Sequence, residues 1–171
     1  MCRRPTASAS TLLALAASFA PTGCADPAIA QPIPFNHRIH ADNGITCVDC
    51  HQGVLSGAHA GIPRVEVCMQ CHAGDITQNP AALPHIALVR LHAESGTEIP
   101  WRRLHELPAH VYYSHRRHVA IARLECPVCH DDIGERTAPP AGPVARTLAM
   151  STCMTCHQDR GVENDCARCH R

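Results

Sequence analysis

The chain has 171 residues, 45% hydrophobic content and no net formal charge, with 15 basic and 15 acidic residues, which on their own suggest one ordinary soluble domain. The neutral charge excludes the basic surface typical of nucleic-acid binding, and the lack of an apolar run near 20 residues excludes a polytopic membrane protein. Aromatic residues make up only 3%, however, whereas the chain contains 12 cysteines and 14 histidines. Something other than Phe, Tyr and Trp must therefore fill its interior.

Residues 1–30 are predicted to be a secretory signal peptide. Arg3 and Arg4 give a positive start, residues 11–20 form a short apolar run, and an A-x-A cleavage pattern precedes Gln31. A competing interpretation makes Cys24 the lipid-attachment residue of a lipoprotein. Both interpretations place the mature chain outside the cytoplasm, in the periplasm.

Residues 31–80 form the first predicted module. A histidine pair with H-x-x-H spacing, His37 and His40, precedes two C-x-x-C-H motifs at residues 47–51 and 68–72. C-x-x-C-H is the attachment signature of c-type haem, in which both thiols form thioethers and the following histidine coordinates the iron. On a helix, histidines at i and i+3 share a face but diverge enough to reach two neighbouring irons.

A proline-containing linker is predicted over residues 81–107, and its part from 81 to 95 is expected to form one short helix. Residues 108–171 form the second predicted module, in which residues 131–144 are expected to be a loop. Its histidine pair, His115 and His118, is preceded two positions earlier by an aromatic residue, as the first pair is. The repeated context indicates an internal duplication.

The second module adds three C-x-x-C-H motifs, so the chain is predicted to bind five haem c groups covalently. C-x-x-C pairs also occur in zinc ribbons, but zinc does not require a histidine after every second cysteine. The predicted mature chain has no cysteine outside these motifs. The predicted attachment residues are Cys47, Cys50, Cys68, Cys71, Cys126, Cys129, Cys153, Cys156, Cys166 and Cys169, and the motif histidines are His51, His72, His130, His157 and His170.

The segment FNHRIHADNGITCVDCH resembles the start of class III multihaem cytochromes c, the trihaem and tetrahaem family of low-potential carriers. In that family the first histidine of the pair coordinates the first haem and the second reaches a different haem. The resemblance implies four axial pairs: His37 with His51, His40 with His72, His115 with His130, and His118 with His157.

The fifth haem, with His170, needs a second axial ligand, for which two candidates stay open. Met150 is the residue nearest the position where trihaem relatives place a histidine, although it could equally be a core methionine. His105 is the rival. The remaining histidines, His59, His85, His92 and His110, are interpreted as surface or hydrogen-bonded residues.

Three further segments, Ile99 to Pro108, Val111 to His115 and Leu148 to Met150, resemble the pentahaem subunit of alternative complex III and related quinone-reductase cytochromes. This resemblance implies partners: a membrane quinone-linked or iron–sulfur oxidoreductase complex, and other cytochromes. It also implies that the chain associates with the membrane through a partner protein.

The expected fold is mainly α-helical with little regular structure, a class III-like multihaem cytochrome c whose core is filled by haem. The expected function is periplasmic electron transfer, without an enzyme activity of the chain's own. An alternative is a multihaem reductase of a small oxyanion such as nitrite or hydroxylamine, which needs an open haem iron. A third interpretation is a haem sensor or structural subunit.

Overall fold

The computed structural model describes residues 29–77, 79–142 and 149–170. Residues 1–28, with most of the predicted signal peptide and Cys24, lie outside this range. In the described part of the chain, no helix is long and apolar enough to cross a membrane.

Short helices dominate the described residues, as the sequence predicts. The α-helices are α1 (His37–Asp42), α2 (Cys47–Cys50), α3 (Val65–His72), α4 (Leu83–Glu94), α5 (Pro127–His130), α6 (Met150–Asp159) and α7 (Cys166–Cys169). Single 3₁₀ turns occupy Gln52–Val54 and Ile133–Glu135, and Arg116–Ile121 is π-helical. The β-pairing of these residues consists of an isolated antiparallel bridge between Val111 and His170. The predicted loop over residues 131–144 thus contains one helical turn.

Each C-x-x-C-H motif lies wholly or mostly in a short helix, which puts its two cysteines on one face, about one turn apart. Cys126 immediately precedes α5, and His51 and His170 immediately follow α2 and α7. Side-chain carboxylates cap the start of two of these helices. The carboxylate of Asp49 accepts hydrogen bonds from the backbone N–H of Thr46 at 2.6 Å and from its hydroxyl at 2.7 Å. The carboxylate of Asp165 accepts the Ala167 N–H at 2.9 Å. These caps satisfy donors that a helix start leaves unpaired.

Helix α4 confirms the short helix predicted between residues 81 and 95 and packs against α3. Its Val89 joins Ile33, Val65 and Ile99 in a small apolar cluster, against which Trp101 packs. The segment predicted to be a linker therefore supplies part of the core around the second C-x-x-C-H motif.

The same segment also holds both ends of α3. At the start of α3, a carboxylate oxygen of Glu98 accepts the Val65 N–H at 2.9 Å. At its end, the Arg90 guanidinium donates to the carbonyl oxygens of His72 and Gly74, both at 2.8 Å. An anion at a helix start and a cation at its end complement the helix dipole. Helix α3 is thus fixed in place together with its motif.

Backbone hydrogen bonds connect the two predicted modules. The Arg116 N–H donates to the Gly57 carbonyl at 3.0 Å, and the Arg38 N–H donates to the Arg136 carbonyl at 3.1 Å. The first contact joins the loop that follows α2 to the second histidine pair. The second joins α1 to the turn after the third motif. Both histidine pairs therefore lie at the junction of the modules.

Candidate functional site

The first histidine pair is organised around one aromatic ring. The ring of Phe35 stacks on His40, with centroids 4.5 Å apart and planes 17° from parallel. It meets His37 edge-on at 4.7 Å. Nδ1 of His40 lies 2.7 Å from the carbonyl oxygen of Asn36. Since a carbonyl only accepts, Nδ1 carries the proton and Nε2 keeps its lone pair free for a metal.

The second pair repeats this arrangement. Tyr113 stacks on His118 at 4.6 Å and 22°, and it meets His115 edge-on at 4.9 Å. Nδ1 of His118 donates to the Ser114 carbonyl at 2.8 Å. The duplication predicted from the sequence is therefore also present in side-chain geometry, although His118 lies in a π-helical turn and His40 in an α-helix.

Three histidines of the two pairs face a motif histidine across a similar gap. The centroid distances are 6.1 Å for His40 and His72, 6.4 Å for His115 and His130, and 6.1 Å for His118 and His157. Two imidazoles that coordinate one metal atom from opposite sides, each through a nitrogen about 2 Å away, have centres roughly 6 Å apart. The spacing of these rings fits paired axial ligands.

The fourth implied pair, His37 and His51, is also close in space. Burial, aided by the neighbouring His51 and His40, lowers the pKa of His37 to about 4. Nδ1 of His51 donates to the Gly61 carbonyl at 2.7 Å, so its Nε2 is the nitrogen left for a metal. The buried Nδ1 atoms of His37 and His72 lack a hydrogen-bond partner.

Burial favours the neutral form that a metal ligand needs at two motif histidines, His72 and His130. It is the main cause that lowers the pKa of His72, with His40 and Arg90 adding to the effect. It also lowers the pKa of His130, helped by His105 and His115. Because protons compete with metals for imidazole nitrogen, a lowered pKa favours coordination.

The motifs lie beside one another across the module boundary. Burial raises the pKa of the Cys126 thiol, and Cys47 of the first motif is the next cause. Burial likewise raises the pKa of Cys50, to which Cys71 of the second motif contributes. The first motif therefore neighbours both the second motif and the third.

Electrostatic interactions between thiols also link the remaining motifs. The pKa of Cys129 is raised by burial and then by Cys156 and Cys153 of the fourth motif. The pKa of Cys153 is raised by burial and then by Cys169 of the fifth. The five attachment sites thus form one connected series, in the order second, first, third, fourth and fifth.

The two candidate axial ligands of the predicted fifth haem, Met150 and His105, lie in different surroundings. Met150 is the first residue of α6 and is 61% exposed. The ring of His105 meets His130 edge-on at 5.4 Å, which places His105 beside the third motif. The ring found next to His170 is that of His110, at 5.5 Å and 28°. Sequence reasoning missed His110, since no H-x-x-H spacing or adjacent motif distinguishes it.

The donor set as a whole fits haem better than zinc. In residues 29–77, 79–142 and 149–170, no three His, Cys, Asp or Glu side chains converge as ligands of one metal ion. The histidines occur instead as facing pairs, each with one member next to a pair of cysteines. Two thiols for covalent attachment beside a pair of histidines suit haem c, whereas structural zinc takes four ligands.

Comparison with known proteins agrees with this donor set. A family model described as cytochrome c7 and related cytochrome c matches residues 33–86 and 111–171. The match spans all five C-x-x-C-H motifs and both histidine pairs, and it leaves out residues 87–110. No curated protein matches the chain significantly.

Proposed function

We propose that this chain, which belongs to the family of cytochrome c7 and related cytochromes c, is a periplasmic electron carrier with five covalently bound haem c groups. Family membership itself establishes a multihaem cytochrome c of mainly helical fold. The number of haems, the residues that hold them, the location and the partners are the content of the proposal. One-electron exchange at iron is the chemistry that haem supplies when bound.

The chain's own residues attach, orient and enclose that group. In each motif the two cysteines, one helical turn apart, would form the thioethers, and the next histidine would supply one axial nitrogen. His37, His40, His115 and His118 would supply the second nitrogen at four sites. Hydrogen bonds from Nδ1 to backbone carbonyls at His40, His51, His115 and His118 fix the tautomer and the ring orientation.

The observation that carries the proposal is the set of facing rings 6.1–6.4 Å apart. If the two histidines of each pair hold the same haem iron, these three irons would have no open position for a substrate. This favours a carrier over a reductase. The connected order of the five attachment sites also suits a carrier, because it leaves no site isolated from the others.

The test combines stoichiometry with spin state. A haemochrome assay and the intact mass of the purified holo-protein should give five haems per chain. Electron paramagnetic resonance of the oxidised protein should show low-spin iron throughout. A high-spin haem that binds nitrite or hydroxylamine would contradict the carrier and support the reductase alternative. Fewer than five haems would contradict the proposed number.

Location and partners extend the proposal and have separate tests. Intact mass spectrometry of the exported protein should show a chain beginning at Gln31, whereas a lipid-modified Cys24 would indicate an anchored form. The proposed partner is a membrane quinone-linked or iron–sulfur oxidoreductase complex, and other cytochromes are proposed as further partners. Membranes containing such a complex should reduce or oxidise the holo-protein rapidly, while membranes without it should not.

A further inference from the structure

We propose that His110 is the second axial ligand of the haem iron held by the fifth motif, opposite His170. The inference rests on the proposed function, because it presupposes a haem at Cys166 and Cys169. It replaces both candidates that the sequence suggested, Met150 and His105. It also assigns the site a nitrogen rather than a thioether ligand, which favours a low reduction potential.

Ring geometry is the first support. The centroids of His110 and His170 are 5.5 Å apart, and their planes are 28° from parallel. This separation is within about 1 Å of the roughly 6 Å expected for two imidazoles on one metal atom. The ring centroids of His118 and His157, 6.1 Å apart, agree with the same expected separation.

The backbone on both sides of His110 holds the ring in this position. Val111, the next residue, forms the antiparallel bridge with His170, and the Tyr112 N–H donates to the Cys169 carbonyl at 2.8 Å. On the other side, the Val111 N–H donates to the Pro108 carbonyl at 2.8 Å and closes a turn that contains His110. His110 is therefore tied to the fifth motif by main-chain contacts that do not depend on its side chain.

The two sequence candidates are placed elsewhere. His105 meets His130 edge-on, and His130 already faces His115 with nearly parallel planes, 6° apart. Met150 begins the helix that carries the fourth motif, and 61% of it is exposed. His110 also lies just before the family match resumes at residue 111. The family match therefore does not include His110.

The test compares His110→Ala with Met150→Leu in the holo-protein, and His92→Ala serves as a control for loss of a histidine. His110→Ala should convert one low-spin haem of five to high spin, and added imidazole should restore the low-spin signal. Met150→Leu and His92→Ala should leave all five signals unchanged. His110→Met keeps a ligand at the site and should replace one bis-histidine band in the near-infrared magnetic circular dichroism by a histidine–methionine band.

Two results would overturn the inference while leaving the proposed function intact. One is a wild-type protein with five low-spin haems whose spectrum His110→Ala does not change. The other is a high-spin haem that forms in Met150→Leu and not in His110→Ala. A wild-type protein without five low-spin haems would instead contradict the proposed function, so the two failures are distinguishable.

Discussion

The carbonyl oxygen of Ala58 accepts two hydrogen bonds from His115, one from the backbone N–H at 3.1 Å and one from ring Nδ1 at 2.9 Å. Ala58 belongs to the loop that follows the first motif, and His115 belongs to the second histidine pair. Three residues further on, the Gly61 carbonyl accepts Nδ1 of His51. One loop thus orients ligands proposed for two different haems.

Gly53→Ala should disturb this loop. A methyl group at residue 53 would collide with the carbonyl oxygens of His59 and Ala60, and both are backbone atoms. Forced shifts of this kind cost about 1–3 kcal/mol. We expect a lower midpoint of thermal unfolding, together with altered electron paramagnetic resonance g-values for the haems that His51 and His115 are proposed to coordinate.

Gly74→Ala is the matched control, because a methyl group at residue 74 has open space around it. Its unfolding midpoint and spectrum should equal those of the wild type. If Gly53→Ala also behaved like the wild type, the loop would not hold either histidine.

The local parts of this structure could be predicted from the sequence, because they depend on residues close together in the chain. The motif helices are local patterns, and so is the aromatic residue, Phe35 or Tyr113, that precedes each histidine pair. The structure contains both features. The helix over residues 83–94 followed from periodicity. The sequence also implied His40 opposite His72, but only through a family resemblance.

Long-range placements could not be predicted in this way. His110 reaches His170 through a backbone bridge across 60 residues of chain, which no spacing rule encodes. Met150 is one of two candidate ligands because of its offset from a motif, and offset along the chain does not fix direction in space. Likewise, the proline-containing segment predicted as a linker proved to pack on α3, because Val89 and Ile99 complete an apolar cluster.

Arg90→Ala should destabilise the second motif. The substitution removes hydrogen bonds to the carbonyl oxygens of His72 and Gly74 at the end of α3, from a side chain that is 31% exposed. Hydrogen bonds from a charged group to a helix end contribute about 1–3 kcal/mol, less where water reaches them. Denaturant titration of the holo-protein would measure the loss.

Arg38→Ala provides the comparison for that experiment. The Arg38 side chain pairs with Asp42 at 3.7 Å, and both side chains are more than half exposed. Exposed pairs of this kind contribute about 0–1 kcal/mol. Equal losses for Arg38→Ala and Arg90→Ala would show that Arg90 acts only as another surface charge.

His40→Met should raise the reduction potential of one haem. A thioether ligand favours ferrous iron more than imidazole does, so the shift should be positive, within the roughly 0.8 V range that axial ligands span. A spectroelectrochemical titration should show one component displaced upward and the others near their wild-type values. His92→Met introduces the same residue away from the proposed ligands and should displace none. An unchanged titration curve for His40→Met would remove His40 from the ligand set.

Production of the chain without haem attachment should leave it largely unfolded. Of the described hydrophobic side chains, those that are buried are Ile33, Val54, Val65, Val89 and Ile99. Burial of so few side chains cannot offset the conformational entropy lost when more than a hundred residues are ordered. Circular dichroism of the haem-free chain should therefore show much less helix than the holo-protein and no cooperative melting transition.

Residual helix in the haem-free chain should come from residues 65–94, where α3 and α4 pack together around Val65 and Val89. Hydrogen exchange measured by mass spectrometry would locate it, with the holo-protein as the reference state. Protection spread over all five motifs in the haem-free chain would contradict a haem-dependent fold. Protection confined to residues 65–94 would show that this pair of helices keeps its structure without haem.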